Sequence, residues 1–462
     1  MKLLYIFLIV YFVLMVGIGI YGKRYTKDFQ SSIDMGKKGG VILLAGSCIG
    51  NNIGNGFIVG GAGKGSMAGL AGSGFGIGCA LGALAVGVLL SDFIYEQGYI
   101  SLADFTKKRY KSDVPGIIFI LSTCFSLVGV FGAQLMAGKI IFELLGLDVK
   151  LFTILTAVII FIYSELAGIW GTYATSLVQT IIIIASLIIL TVVILMNGGY
   201  ATLQNGIALG TAPAGALDFS GLGLMGFMGL CVPVALSTFT SQSDFVRINT
   251  AKSAKTSKQA HIIGFFAMIP LAIMPAFIGA YGATKYGIIG DTVLFSVAFH
   301  ELPGVLASLV VVAVIAAVMS TIATCYSAVD SIAVNDLLKS ILHRTLSEKK
   351  MRKISLLINI MMTIIAVIMS FNASVILDFL NEFYSLIAAA SFVPFIGGIL
   401  FKKAPTIAAT TSSLAGVACI VFEWCGVPVP SLGGFFPCII GAIAFIIFTL
   451  LKRNTEIATP EL

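Results

Sequence analysis

The sequence predicts an all-α polytopic membrane protein with about thirteen transmembrane helices. Three observations carry that reading. Hydrophobic residues make up 58% of the 462 positions and charged residues 11%. The mean hydropathy is +1.04, far above the range of soluble globular chains. The basic residues also gather between apolar stretches in a strictly alternating way.

A span needs roughly 20 apolar residues to cross about 30 Å of hydrocarbon. Taken in order, the stretches that qualify lie near 3–21, 40–61, 70–94, 114–146, 150–167, 173–196, 222–244, 260–284, 301–335, 352–371, 376–400, 406–425 and 434–451. All of the 28 Lys and Arg residues except Lys2, Lys64, Lys139, Lys150 and Lys285 fall in alternate loops. Loops on the cytoplasmic side collect such charge, which places the N-terminus outside and the C-terminus inside. The net charge of +7 is therefore read as topology and not as a nucleic-acid surface; Arg247 and the basic loop after the seventh span belong to topology or to an inner gate.

One Lys precedes the first span and five basic residues follow it, with no small-residue cleavage site, so the span reads as a retained helix and not a signal peptide. The eight cysteines form no CxxC pair and read as small packing residues; Cys425 and Cys438 flank a predicted outer loop. The polar stretches near 22–39, 95–113, 197–221 and 336–351 are loop-sized, so function is expected within the helices.

Residues 46–65, GSCIGNNIGNGFIVGGAGKG, carry eight glycines and three asparagines inside an apolar region. Glycine at this density serves close helix packing. It equally marks a discontinuous helix, because Asn51, Asn52 and Asn55 are costly in hydrocarbon unless they line a cavity or a site. A second polar group lies in AAVMSTIATCYSAVDSIAVNDLLK, residues 316–339, where Ser320, Thr321, Thr324, Ser327 and Ser331 form a hydroxyl stripe. Hydroxyls in membrane helices commonly bond the i−4 carbonyl or join helices. Set against free carbonyls of a broken helix, they would form a neutral all-oxygen cage suited to Na⁺.

At these residues the chain resembles the sodium:solute symporter family, whose members share the leucine-transporter-type fold of two inverted five-helix repeats. IGNGFIVGGAGKGSMAGLAG (53–72) is similar to the first core helix and AGIWGTYATSLVQ (167–179) to the start of the fifth. SQSDFVRINTAKS (241–253) resembles the loop after the sixth, residues 316–339 the eighth, and NEFYSLIAAASFVPFIGGILFKK (381–403) the tenth. The resemblance implies a transport core over 40–403, a peripheral helix and cytoplasmic loop over 1–39, and two peripheral helices with a short tail over 404–462.

It also implies a Na⁺ site made of the carbonyls of Gly50, Ile53 and Ala317 and the hydroxyls of Ser320 and Thr321. Solute contacts would fall on Asn52, Gly54, Phe57 and Asn381. Members with an additional Na⁺ place an acid in a TD dipeptide before the Gln of the fifth core helix. This chain has Thr175, Ser176 and Gln179 there, and Ala323 on the eighth helix, so one coupling ion is expected. Phe57 and Gly56 depart from sugar-carrying relatives, and a broken helix offers free N–H groups to a carboxylate. The expected function is Na⁺-coupled symport of a small organic solute, an amino acid or small organic acid, into the cell.

The alternatives are a proton-coupled or facilitative transporter of a sugar or other solute, and a solute sensor that moves nothing. No filter-like loop supports a channel. The three histidines, His261, His300 and His343, form no HExxH or acid-flanked arrangement, so no enzyme is expected. The expected partners are the solute, Na⁺ and the lipid bilayer, with no nucleic acid and no obligatory protein. The expected location is a bacterial inner membrane.

Overall fold

The structure is a computed structural model that describes residues 2–22, 37–341, 347–372, 375–430 and 434–451. Most of the predicted basic loop over 22–39, part of the loop over 336–351 and the tail from Lys452 lie outside the described residues. Among the described residues the chain is built of helices, and only an isolated bridge between Gly39 and Ala251 departs from that.

The chain opens with α1 (Lys2–Gly22) and α2 (Val41–Asn52). After an interruption and a π turn at Gly56–Gly60 come α3 (Gly61–Ala68), a 3₁₀ turn, α4 (Gly74–Ala85) and, past a second π turn, α5 (Ser91–Gln97). The amphipathic α6 (Leu102–Tyr110) leads into α7 (Val114–Leu144), α8 (Val149–Met196) and α9 (Gly199–Leu209). Then follow α10 (Gly223–Phe239), α11 (Gln242–Thr250), α12 (Ala254–Tyr286), α13 (Val293–Glu301) and α14 (Gly304–Val329). The last four are α15 (Glu348–Asn372), α16 (Ile376–Leu400), α17 (Thr406–Trp424) and α18 (Phe436–Leu451).

Nine helical stretches among the described residues are long and apolar enough to cross a membrane, and Ile6–Gly22, Val41–Asn52 and Phe436–Leu451 are shorter apolar helices. The stretches at 150–167 and 173–196, predicted as two spans, are two helical segments of α8 parted by a non-helical residue, Gly168. Gly168 bends it, with φ 57° and ψ 179°, a conformation open to a residue without Cβ. The protein is a multi-pass membrane protein, and Leu, Ile and Val side chains stay exposed along α1, α8, α15 and α18 where lipid would cover them.

Burial decides which helix is central. The apolar window of α14 is 83% buried, whereas that of α15 is 28% buried. Around α14 pack α8, α7, α1 and α2. On the other side α3 and α4 lie against α12, and the contact is as close as glycine allows: a Cβ on Gly65 would run into the Ala276 backbone, and one on Gly279 into the Ala62 carbonyl. Close packing thus accounts for the glycines of α3.

One end of the molecule is tied at Glu301, at the C-terminus of α13. Its Oε1 accepts from Tyr281 and Tyr286 hydroxyls at 2.5 Å each and from Lys285 Nζ at 2.7 Å, and its Oε2 from Asn197 Nδ2 at 2.9 Å. Burial would raise this carboxyl, but these donors outweigh it and hold the pKa at about 2. The stability this site supplies is therefore present above the unfolded value near about 4.3 and is lost as pH falls toward about 2. Glu301→Gln is expected to lower the unfolding temperature at pH 7, with the difference from wild type shrinking as pH is brought down through 4. A difference independent of pH would contradict this.

Candidate functional site

The helix begun at Val41 stops at Asn52, and Ile53, with φ −85° and ψ 68°, turns out of it. Ile53 N still donates to Ile49 O at 2.8 Å, but the next backbone bonds start only with Phe57 N and Ile58 N to Gly54 O, at 3.1 and 3.2 Å. Backbone groups between these points leave the helical ladder in the middle of the protein, and each side of the gap is held by a different neighbour.

The α2 side is held by hydroxyls of α14. Ser320 Oγ lies 2.8 Å from Gly50 O and 3.0 Å from Ala317 O, and Thr324 Oγ1 donates to Asn51 Oδ1 at 2.5 Å. The α3 side is held by Gln134 of α7: Asn55 N donates to Gln134 Oε1 at 2.8 Å, and Asn55 Nδ2 to Gln134 O at 2.5 Å. Asn52 Nδ2 turns back to Cys48 O at 2.8 Å.

The structure therefore brings together Gly50, Ala317 and Ser320, and sets Thr321 beside them. Thr321 is 4% exposed, and its Oγ1 has no hydrogen-bond partner among the described residues. A Cβ on Gly54 would sit 2.9 Å from that oxygen and 2.9 Å from Gln134 Oε1, which places Thr321 Oγ1 at the interruption itself. A buried hydroxyl without a partner costs about 1–3 kcal/mol, so this atom is fitted to receive a ligand. Ile53 is fully buried at the same place. Behind Gly50, α8 supplies Thr180, whose Oγ1 donates to Gly46 O at 3.0 Å, and Ser176.

A cavity lies against the interruption. It is lined by Asn51, Asn52 and Thr321 at the interruption, by Thr240, Ser241 and Gln242 where α10 passes into α11, and by Thr123 and Tyr384. All of the lining side chains are uncharged. Of the expected solute contacts, Asn52 lines the cavity and Gly54 borders the interruption. Phe57 is 1% exposed and packs toward Gly76 of α4. Asn381 Nδ2 bonds Gly229 O of α10 at 2.9 Å, and it is Tyr384 and Ile387, farther along α16, that reach the cavity.

Arg247 differs from its reading as a topology charge. It is fully buried and paired with the equally buried Asp244, whose Oδ1 also lies 3.2 Å from His261 Nε2. Its Nη2 reaches Ser47 O of α2 at 3.4 Å. Burial pushes the Asp244 carboxyl up, but Arg247 and His261 outweigh it and hold it below the ordinary carboxylate range. Cys48, Asp244 and His261 lie close enough to share an ion. Arg247 pairs with Asp244 Oδ1, and the group is a charge lock joining α2, α11 and α12. Gln134 and Tyr384 were not anticipated; the available signal for Gln134 was a lone amide in the apolar run VFGAQLMAG.

Comparison with known proteins agrees with this architecture. The sodium:solute symporter family model matches residues 35–416. Sodium/proline symporters of Staphylococcus aureus, that of strain JH9 among them, are 26% identical over 451 residues, covering 91% of this chain and 85% of theirs. A Na⁺-coupled sialic acid symporter in a substrate-bound outward-open state superposes with a TM-score of 0.81 at 16% identity, with 97% of both chains covered. A nucleobase-cation-symport-1 family transporter superposes with a TM-score of 0.60 at 15% identity, over 92% of this chain and 95% of its own. The fold is thus the leucine-transporter type, an inverted five-plus-five helix repeat whose first core helix is discontinuous. The chain belongs to the sodium:solute symporter family and is a Na⁺-coupled symporter of a small solute, not an enzyme.

Proposed function

We propose that this protein imports a small amino acid together with Na⁺, and that Na⁺ is held by the carbonyls of Gly50, Ile53 and Ala317 and the hydroxyls of Ser320 and Thr321. The observation that carries the reading is the junction of Ser320 Oγ with Gly50 O and Ala317 O beside the unpartnered Thr321 Oγ1. Neutral oxygens from two helices match a small hard cation of single charge. The uncharged cavity next to it accepts a solute without net charge. A zwitterion satisfies this, since its carboxylate would meet the Na⁺ and the free N–H groups of the interruption while its amine meets the Asn and Thr oxygens. The sodium/proline symporters among its relatives make proline the first solute to try.

In this reading residues 40–403 form the transport core, with 1–39 and 404–462 peripheral. The protein sits in a bacterial inner membrane with the N-terminus outside and the C-terminus in the cytoplasm, and the face bearing α11 is cytoplasmic. Na⁺ joins α2 to α14, and this orders the solute cavity. Each ligand then tightens the other's site by the same factor, and that reciprocity is the coupling. The solute leaves past Gln242 and Ser243, which line the cavity at the start of α11.

Thermal stability of the purified protein is to be measured against amino acids, small organic acids, sugars and nucleobases, each in Na⁺ and in K⁺. An amino acid is expected to stabilise in Na⁺ alone, and Ser320→Ala/Thr321→Ala is expected to abolish the effect. Equal stabilisation in K⁺ and in the double variant would refute the cage, and stabilisation by a sugar alone would refute the solute class. Gly54→Ala places a methyl group 2.9 Å from Thr321 Oγ1. It is expected to raise the Na⁺ concentration for half-maximal stabilisation at least tenfold, and an unchanged value would remove Gly54 from the site.

A further inference from the structure

Glu165 on α8, Asp330 just past the end of α14 and Asn359 on α15 meet where these helices pack together. Asn359 Nδ2 is 2.9 Å from Glu165 Oε1 and 3.3 and 3.4 Å from the two oxygens of Asp330. A single amide nitrogen therefore stands between two carboxylates. Ser355 Oγ donates to Asp330 Oδ1 at 2.5 Å. Asn359 is fully buried, and its Oδ1 has no hydrogen-bond partner among the described residues. The group thus holds five acceptor oxygens around one amide and one hydroxyl.

Among the described residues, positive charge does not balance it: no Lys, Arg or His among them pairs with either acid. The titratable group of α14 that faces the acids is Tyr326. The Tyr326 hydroxyl is engaged with Thr363 Oγ1 at 2.5 Å. Lys349, Lys350, Arg352 and Lys353, at the start of α15, are exposed. Asp330 is half-buried and Glu165 is exposed at the helix surface, and two carboxylates on either side of one buried amide repel each other. One proton removes half the charge and adds the donor the group lacks. Asp330 lies roughly two and a half turns beyond Thr321, so the group is separate from the sodium cage.

We propose that Glu165 and Asp330 hold one proton between them across Asn359, making a proton-binding site distinct from the sodium cage. With the proton in place α8, α14 and α15 are bridged by hydrogen bonds, and its loss to water leaves two like charges facing across the same junction. External or cytoplasmic pH would then act on these three helices without touching the Na⁺ ligands.

Infrared spectroscopy of the purified full chain, in K⁺ and without solute, reads the proton directly through the C=O stretch of a protonated carboxyl. The wild type is expected to show such a band at neutral pH that disappears on alkalinisation, and Glu165→Gln/Asp330→Asn is expected to lose it. Asp330→Asn alone, should the double variant not fold, is expected to shift or remove it. Identical spectra in wild type and variants would overturn the proposal. A band that Na⁺ abolishes at constant pH would make the pair a Na⁺ ligand and overturn the proton assignment. The readout uses neither solute nor uptake, so it stands or falls apart from the sodium cage.

Discussion

Everything central in this protein depends on a helix that stops where membrane burial would ordinarily forbid it. Between Asn52 and Gly56 the backbone leaves its own ladder, and its polar groups must find partners without bulk water. α14 supplies hydroxyls to one side through Ser320 and Thr324, and α7 supplies the Gln134 amide to the other. The interruption is therefore built from three helices, and a change in any one is felt by the other two. That physical dependence is what a coupling site requires, because an ion bound there bears on helices that also wall the solute cavity.

The glycines of residues 46–65 divide their work along the chain. Gly54 keeps the neighbourhood of Thr321 open, whereas Gly65, with Gly279 of α12, lets two backbones touch. Packing and interruption were rival readings of the same stretch, and the structure uses both, a few residues apart. Close contact of α3 with α12 anchors the far side of the interruption and makes the near side the place where geometry can change. The Asp244, Arg247 and His261 lock holds α2 at Ser47, on the near side of the interruption.

Much of this was legible before any coordinates. Composition and basic-residue placement gave the membrane class, and Asn51, Asn52 and Asn55 within a glycine-rich stretch marked the interruption, because amides in hydrocarbon need a reason. The hydroxyl stripe at Ser320 and Thr324 marked its partner. What stayed hidden depends on distance in sequence. Asn55 meets Gln134 across 79 positions and Arg247 meets Ser47 across 200, and a single sequence carries no record of such pairings. Arg247 in particular sits in a basic loop by composition and yet is wholly buried, since a neighbouring acid three residues away offsets its charge. Phe57 and Asn381 follow from the family resemblance, which does not say which face of a helix meets the cavity.

The central claim is that one Na⁺ binds at the interrupted helix through Ser320 and Thr321. Equilibrium binding of ²²Na⁺ to the purified protein, compared with Ser320→Ala/Thr321→Ala, tests it most directly. The account predicts one saturable site in the wild type and its loss in the double variant, while the variant keeps its helical content. Undiminished ²²Na⁺ binding by the folded double variant would contradict it and place the coupling ion elsewhere in the protein.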